Sequence, residues 1–448
     1  MKKIKVFLAV LFCKTVRFFA KLLGRGSSLP GALTLKLFPN ILKDITPPEK
    51  IIAVTGSNGK TSTVELIAHV LKESGASLVY NKEGSNQIEG VTTMLLCDST
   101  LSGKAKSKIA LIESDERFAK YTFKYIKPTY LFITNLYRDQ LTRNGHPEWV
   151  YAAINDAITD DITLVLNADD PLVTTFGKGK NALYFGADKL SFDKDVNDSV
   201  YDDGKYCPVC SAPMTYSYYH YNHIGSYSCP KCGFKKPKTK WTITSASLEE
   251  KKLTINGKHT IELSFSSIYQ CYNSLVAFAA ADIAGVKAED AVKALSGYKM
   301  QSGRIMDFTF GKAKGTLLVS KHENSVSYDQ SINVVTNDSN DVAVLIIVDK
   351  ISRKYHTEDT SWLWDIDFEK LNSDNVKKIY LAGSYYNDLD VRFSVTDIPK
   401  DKLIVCDSVE SAMAKLKNEE NFTYVITCFS DKGKFLEIVK KGEVKNGN

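Results

Sequence analysis

The stretch that decides the fold is "IIAVTGSNGKTSTVELIAHVL", residues 51–71. It begins with an apolar run that ends at Gly56, and residues 62–73 then show the apolar spacing of a helix. Between the two lies a G-x-x-G-K-T loop, shorter than the full G-x-x-x-x-G-K-[ST] spacing. Its glycines permit a tight turn that directs backbone N–H groups at an anion, and the helix N-terminus adds its positive end. The order strand, loop, helix predicts a phosphate site, with a purely structural turn as the alternative.

Individual loop residues have distinct expected roles. Lys60 is expected to reach the β- and γ-phosphates of a nucleotide, and the hydroxyl of Thr61 is expected to ligate Mg²⁺. The complete set of predicted nucleotide-binding positions in this loop is Gly56, Ser57, Asn58, Gly59, Lys60, Thr61 and Ser62.

Apolar runs alternate with helical patterns from residue 51 to about 185, which predicts an α/β fold with a parallel, doubly wound sheet. The predicted strands are 51–56, 77–81, 108–114, 130–136 and 162–169. Residues 241–265 look like antiparallel strands with Asn256-Gly257 as a hairpin turn, and a helical stretch over 271–296 follows. The predicted domains are an N-terminal helical segment at 1–46, a central ATP-binding domain at 47–302 with an insert at about 203–237, and a second α/β domain at 303–448.

Polar clusters stand at the ends of three predicted strands. They are "ALIESDERF" (110–118), "FITNLYRDQLTRNG" (132–145) and "LNADDP" (166–171). Ligands of doubly wound sheets bind in the crevice at the carboxyl ends of the strands. Glu113 is therefore predicted to hold magnesium beside the loop, although a solvated acidic turn is the simpler interpretation.

The insert contains Cys207, Cys210, Cys229 and Cys232 in the spacing C-x₂-C-x₁₈-C-x₂-C. Two such pairs supply four thiolates for a tetrahedral Zn²⁺ site. Four thiolates leave no open coordination position, so the predicted zinc is structural and His220 and His223 are not needed as ligands.

Composition narrows the class of protein. The chain has 448 residues, 44% hydrophobic content and a net charge of +6, which is too weak an excess to argue for nucleic acid. The other five cysteines are scattered, as in reduced cytosolic proteins. In "MKKIKVFLAVLFCKTVRFFAKLLGRG" the longest uncharged run is Val6 to Cys13, too short to span a membrane. We expect an amphipathic helix packed on the protein's own core, with contact to the inner face of an anionic membrane as the alternative.

The motifs "TGSNGKTS", "ESDE", "TNLYRDQ", "LNADDP" and "YNSLVAFAA" together resemble the Mur ligase family. The four-cysteine insert, "LGRGSSLPGALTLKLFPNIL", "NLYRDQL" and "DTSWLWDIDFEKL" are similar to a narrower group, the ligase-like subunits of lipid II isoglutaminyl synthase. The resemblance spans nearly the whole chain, and its motifs are most specific up to about residue 305.

This resemblance implies an activity, cofactors and a partner. With ATP and Mg²⁺, such subunits convert the D-glutamate α-carboxylate of the lipid II stem peptide to D-isoglutamine through an acyl phosphate, during peptidoglycan synthesis. The ammonia comes from a GatD-type glutamine amidotransferase in a heterodimer. The implied location is cytoplasmic.

The resemblance also implies site residues. Lys60, Glu113 and Asp359 would be catalytic, with Asp359 in "DTSWLWD" facing the ammonia. Asn273 would meet the nucleotide base and Arg304 a phosphate or ribose. The implied substrate-facing residues are Asn86, Asn135 and Arg138. Simpler roles remain open: a helix N-cap for Asp359, a cap or bridge for Asn273, and a surface ion pair for Arg304.

Two other functions remain open. One is another amide-bond ligase of the Mur or folylpolyglutamate synthase type. The other is a nucleotide-binding scaffold that has lost amidation, because "ENSVSYDQ" (323–330), "VDKISRKYHTED" (348–359) and "ITCFSDKG" (426–433) depart from the family pattern in the C-terminal block.

Overall fold

A computed structural model describes residues 2–81, 85–137, 146–197, 199–200, 202–299, 304–321, 323–350 and 358–445. The chain forms two compact units, the first drawn from residues up to 300 and the second containing 301–448. Arg138 lies outside the described residues.

The first unit combines helices with one large sheet and a small hairpin. Its helices are α1 (Lys2–Leu22), α2 (Leu29–Leu37), α3 (Lys60–Glu73), α4 (Ile88–Asp98), α5 (Ala119–Phe123), α6 (Pro147–Asn155), α7 (Pro171–Thr174), α8 (Ile268–Ala284) and α9 (Ala288–Leu295). Its strands are β1 (Lys50–Thr55), β2 (Leu78–Tyr80), β3 (Ile109–Glu113), β4 (Tyr130–Ile133), β5 (Thr163–Asn167), β6 (Ala182–Ala187), β7 (Thr215–Tyr221), β8 (Ile224–Ser228), β9 (Trp241–Ser247), β10 (Lys252–Ile255) and β11 (His259–Glu262).

The large sheet has the order β11-β10-β9-β6-β5-β4-β1-β3-β2. β1 pairs in parallel with β3 on one side and with β4 on the other, and the side chains of Ile51–Val54 are buried. Apolar side chains on both faces are expected for a parallel strand covered by helices on each side. Because the chain leaves β1 toward one side and returns to the other, the carboxyl end of β1 is a topological switch point, where such sheets bind ligands.

Two features refine the predicted elements. Asn256 and Gly257 both have positive φ and join β10 to β11 as an antiparallel hairpin. The helical stretch predicted over 271–296 begins earlier, at Ile268, and is divided into α8 and α9. The division falls at Gly285, whose φ of +86° ends α8 in the left-handed conformation that glycine adopts without strain.

The second unit is a six-stranded sheet with the order β12-β13-β17-β14-β15-β16, antiparallel between β12 and β13 and parallel elsewhere. Its strands are β12 (Ile305–Phe310), β13 (Ala313–Ser320), β14 (Val342–Ile347), β15 (Val376–Ala382), β16 (Leu403–Val405) and β17 (Phe422–Cys428). Its helices are α10 (Ser325–Thr336), α11 (Tyr386–Ser394), α12 (Val409–Leu416) and α13 (Phe429–Lys445).

Helix α1 packs one face on the core of the first unit, where Val6, Ala9, Val10 and Cys13 are buried. Its other face is exposed. Among the described residues, no helix combines the length and hydropathy needed to cross a membrane.

Candidate functional site

The phosphate loop requires glycine at two positions. Gly56 has a φ of +132°, and a Cβ there would lie 3.0 Å from the carbonyl oxygen of Asn135 and closer still to the hydroxyl of Thr134. Gly59 has a φ of +82°, and a Cβ there would lie 2.8 Å from Oδ1 of Asn273. Both the backbone conformation and the lack of space therefore exclude side chains. The loop is shaped by residues distant in sequence as well as by its own turn.

The segment after β4 holds the loop in place. The backbone N–H of Ser57 donates to the carbonyl oxygen of Asn135 (2.9 Å), and that of Asn58 donates to Asn135 Oδ1 (2.8 Å). The hydroxyl of Thr134 donates to the carbonyl oxygen of Asn58 (2.9 Å). Asn135 is thus a support of the phosphate loop, a contact that its predicted substrate-facing role did not include.

Lys60 begins α3, and its ammonium group folds back over the loop. It donates to the carbonyl oxygens of Gly56 and Ser57, the latter at 3.3 Å. It also forms an ion pair with Glu116 at 2.8 Å, between Lys60 Nζ and Glu116 Oε2. The two side chains are only 10% and 1% exposed, so the pair is buried. The cation expected to meet phosphates is therefore held at the loop by a carboxylate.

Glu113 ends β3 beside the start of α3. Its Oε1 accepts a hydrogen bond from the hydroxyl of Thr61 (3.1 Å) and one from Nδ2 of Asn86 (3.4 Å). Its backbone is clamped by the buried Asn81, which accepts from Glu113 N and donates to Glu113 O, both at 2.8 Å. Mg²⁺ prefers oxygen ligands, and here the Thr61 hydroxyl and a buried Glu113 carboxylate oxygen lie 3.1 Å apart. The predicted pair Thr61 and Glu113 therefore fits the ion.

Asn273 lies on α8 and contacts both the phosphate loop and the first turn of α3. Its Oδ1 accepts from the hydroxyl of Thr63 (3.0 Å), and the same atom fills the space beside Gly59. The structure therefore places Asn273 at the loop, where it positions the first turn of α3.

A buried polar cluster connects the loop to the cysteine insert. Asp170 caps α7 and also accepts from the backbone N–H of Leu136 (2.8 Å). His223, in the β7–β8 turn, lies with Nε2 3.7 Å from Asp170 Oδ2. Burial alone would lower the pKa of His223, but the hydrogen bond and charge of Asp170 raise it above its usual value.

Tyr137 completes this connection. Its ring contacts the edge of His223, with 5.2 Å between ring centroids, and its backbone N–H donates to Ser57 Oγ (3.0 Å). The insert hairpin therefore contacts residues that themselves bind the phosphate loop.

Asp169, which precedes Asp170 after the end of β5, belongs to the same region. It accepts a hydrogen bond from the hydroxyl of Tyr272 (2.6 Å) and forms an ion pair with Lys236.

The four insert cysteines converge. Their sulfurs all lie within 4.8 Å of one another, with 3.7 Å between Cys207 and Cys232 and 3.5 Å between Cys210 and Cys229. A zinc–sulfur bond of about 2.3 Å in a tetrahedron separates the sulfurs by about 3.8 Å, so the spacing fits the ion. The residue after each second cysteine, Ser211 or Gly233, has positive φ and closes a tight turn. His220 and His223 pair with aspartates, apart from the sulfur cluster.

Two predicted site residues belong to the second unit. Asp359 precedes a 3₁₀ turn at Ser361–Asp365, and its Oδ1 accepts from the Ser361 backbone N–H (2.8 Å). Hydrogen bonds from Ser361 lower the pKa of Asp359. The guanidinium of Arg304 lies over the ring of Phe429, 4.8 Å from its centroid. Neither contact assigns a ligand, so both proposed roles stay predictions, as does that of Arg138.

Sequence reasoning missed three contributors: Glu116 as the partner of Lys60, Asn81 as the clamp on Glu113, and the pair of Asp170 and His223. Glu116 stands three residues after Glu113 in "ESDE", and Asn81 is the last residue of the strand predicted over 77–81. Their positions beside motif residues were a usable signal. The pairing of Asp170 with His223 left no such signal, because 52 positions lie between these two ordinary polar residues.

Comparison with known families gives two matches along the chain. Residues 54–228 match the Mur ligase middle domain, and residues 322–431 match the MurT ligase C-terminal domain. The predicted resemblance to Mur ligases and to MurT is thereby confirmed, and the C-terminal block matches the MurT model despite its departures from the family pattern.

Curated relatives cover almost the whole chain. The chain is 29% identical over 435 residues to the lipid II isoglutaminyl synthase (glutamine-hydrolyzing) subunit MurT of Staphylococcus aureus strain COL, with 96% of each chain covered. It is 28% identical to the protein of the same name from Streptococcus pneumoniae, with 98% of each covered.

Solved structures share the fold. A pseudomurein peptide ligase type C from Methanothermus fervidus superposes with a TM-score of 0.70 at 21% identity, covering 90% of this chain and 81% of that one. The MurF ligase from Thermotoga maritima in complex with ADP gives 0.59 at 15% identity, covering 92% and 85%. These likenesses confirm the predicted Mur ligase-type α/β fold.

Proposed function

Because the chain carries a Mur ligase middle domain and a MurT ligase C-terminal domain, we propose that it is the ATP-dependent subunit of a lipid II isoglutaminyl synthase. Its substrate is the D-glutamate α-carboxylate of the lipid II stem peptide, and its product is the D-isoglutamine amide. A GatD-type glutaminase subunit supplies the ammonia, and the complex works on the cytoplasmic side of the membrane. The names of the full-length relatives support this assignment.

The observation that carries the proposal is the assembly of Lys60, Thr61 and Glu113 at the carboxyl ends of β1 and β3. Lys60 binds the β- and γ-phosphates of ATP in place of its contacts within the loop. Thr61 and Glu113 hold Mg²⁺, which neutralises phosphate charge when bound. Such electrostatic positioning supplies most of the catalysis in phosphoryl transfer.

The reaction has two steps. The glutamate carboxylate oxygen attacks the γ-phosphorus, the bond to the β-phosphate oxygen breaks, and ADP leaves. The nitrogen of ammonia then attacks the acyl carbon, inorganic phosphate leaves, and one proton is lost. Asp359 orients the ammonia and accepts that proton, a role that suits an ionised carboxylate. Arg304, Arg138 and Asn86 are proposed to contact nucleotide or substrate.

The insert holds a structural Zn²⁺ through Cys207, Cys210, Cys229 and Cys232 in this proposal. The ion replaces the hydrophobic core that so small a ribbon lacks. The zinc site contributes to nucleotide binding only indirectly, because the β7–β8 hairpin contacts the phosphate loop through His223 and Tyr137.

The test is to purify the chain with and without a GatD-type subunit and to measure ATP-dependent conversion of lipid II glutamate to its amide by mass spectrometry. The expected result is amidation with glutamine only when the partner is present, and with ammonium in its absence. A Lys60→Met variant should lose both activities. Binding of Mg·ATP without amidation under either condition would favour a nucleotide-binding scaffold and overturn the proposal.

A further inference from the structure

Helix α1 is apolar on two opposite faces. One face is buried in the core of the first unit. The other carries large apolar side chains that are 42–76% exposed. At 100° per residue these exposed positions all fall within an arc of about 120° of the helix circumference, so that they form one stripe along the helix. We call them the α1 stripe: Ile4, Phe7, Leu8, Leu11, Phe18, Phe19 and Leu22.

The α1 stripe is unusual for a surface. It extends over 18 residue steps, about 27 Å at the rise of an α-helix. Soluble proteins expose single apolar side chains commonly but seldom a contiguous apolar band, and such bands mark interaction sites. Because the opposite face is buried in the core of the first unit, the stripe faces solvent.

All charged side chains of residues 2–25, which include α1, are basic. Residues 2–25 contain seven of the 58 basic residues and none of the 52 acidic ones, so the rest of the chain has a formal net charge of −1. Lys3 and Lys21 are exposed and lie, at 100° per residue, on the same flank of the stripe. Lys14, on that flank too, is held by a hydrogen bond to the carbonyl oxygen of Ser99 (2.5 Å).

We propose that the α1 stripe docks the protein on an anionic lipid bilayer, with α1 lying in the plane of the interface. The aromatic and aliphatic side chains enter the boundary between headgroups and acyl chains, and the basic flank meets anionic headgroups. Lys2 and Lys5 of α1 pair with Asp44, but the flank formed by Lys3, Lys14 and Lys21 lies on the other side of the stripe. An exposed apolar band with a basic flank, on a helix without acidic residues of its own, matches a bilayer better than the mixed-charge rim of a protein interface. This surface is independent of the ligase site, and it brings a chain that acts on a lipid-linked substrate to that substrate.

The direct test is co-sedimentation of the full-length chain, without nucleotide, with vesicles of phosphatidylcholine containing about a third phosphatidylglycerol. Binding is expected to be at least tenfold stronger than to pure phosphatidylcholine vesicles and to weaken as salt is raised. The variant Phe18→Gln/Phe19→Gln is expected to lose at least tenfold in partitioning. Because these side chains are 67% and 60% exposed, folding should not depend on them.

Matched controls separate the stripe from general surface properties. Trp149→Gln removes a side chain that is 73% exposed on α6 and should leave partitioning unchanged. Lys3→Gln/Lys21→Gln should weaken binding to the anionic vesicles, whereas Lys178→Gln/Lys287→Gln, equal in charge removed, should not. A second readout compares lipid II embedded in vesicles with lipid II dispersed in detergent: the Phe18→Gln/Phe19→Gln variant should lose amidation only of the former.

Three outcomes would overturn the proposal. These are failure of the unaltered chain to bind anionic vesicles, equal binding to neutral ones, and unchanged partitioning of the Phe18→Gln/Phe19→Gln variant. A dimer that dissociates on that substitution, with no vesicle binding, would assign the stripe to self-association instead. Failure of the ligase activity alone would leave the co-sedimentation result standing, so the two proposals fail separately.

Discussion

The buried ion pair of Lys60 and Glu116 makes a quantitative prediction. Lys60→Met removes the cation and leaves the Glu116 carboxylate, 1% exposed, without it. Removing one partner of a buried pair typically costs about 3–5 kcal/mol. The Glu116 carboxylate can avoid this cost by taking up a proton. Protonating an ordinary glutamate at pH 7 costs about 3.7 kcal/mol, so the loss of folding free energy cannot exceed about that amount. We therefore expect Lys60→Met to lower the free energy of unfolding of the first unit by about 2–4 kcal/mol.

The pH dependence follows with a definite sign. A carboxyl that is protonated in the folded variant but ionised when unfolded destabilises the fold most at high pH, and the cost vanishes below the ordinary pKa. At pH 5.5 the protonation cost is only about 1.6 kcal/mol, so the deficit of Lys60→Met relative to the unaltered chain should shrink by up to about 2 kcal/mol. Adding Glu116→Gln removes the charge altogether, and the double variant should recover at least about 1 kcal/mol over Lys60→Met at pH 7.

The assay is urea unfolding of the four proteins of this double-mutant cycle at pH 7 and 5.5, followed by a probe in the first unit. Calorimetry with Mg·ATP gives a separate readout, since Lys60→Met should abolish nucleotide binding. If Lys60→Met is as stable as the unaltered chain, or if its deficit is the same at both pH values and persists in the double variant, the ion pair does not have the energetic role assigned to it.

Three further predictions concern other parts of the protein. Gly59→Ala should abolish nucleotide binding, because the φ of +82° and the 2.8 Å approach of Asn273 Oδ1 exclude a methyl group; calorimetric binding equal to that of the unaltered chain would contradict this. Native mass spectrometry is expected to find one zinc in the unaltered chain, and Cys229→Ser should remove it and lower the melting temperature, whereas Cys271→Ser, outside the insert, should keep the metal. An unaltered chain without zinc would refute the site. Asp359→Asn should reduce ammonium-dependent amidation about 10²–10⁴-fold. It should change the free energy of unfolding by less than about 0.5 kcal/mol, because the amide oxygen still accepts from Ser361 N. Retained activity would show that Asp359 is only a turn residue.

The sequence by itself was sufficient to predict motifs whose structure depends only on residues close together in the chain. The G-x-x-G-K-T loop sits between a strand and a helix, and the paired Cys-x-x-Cys turns converge, because each motif bends its own backbone. The alternation of buried strands with helices predicted the doubly wound sheet for the same reason, since the period of apolar residues reflects which side chains face the core. Glu113 was placed at a strand end by position alone, and the fold brought it to Thr61.

Tertiary structure decided whatever depends on residues far apart in sequence. No pattern within the chain pairs Thr63 with Asn273 across 210 positions, or His223 with Asp170, because such contacts arise only when helices and strands pack. Tertiary structure also decided which side chains of α1 are exposed. The sequence showed that α1 is apolar and basic, but only its packing reveals that one apolar face is buried while the opposite one remains in contact with solvent. A helix that is apolar around much of its circumference can bury either side, and the shape of the core it meets selects which.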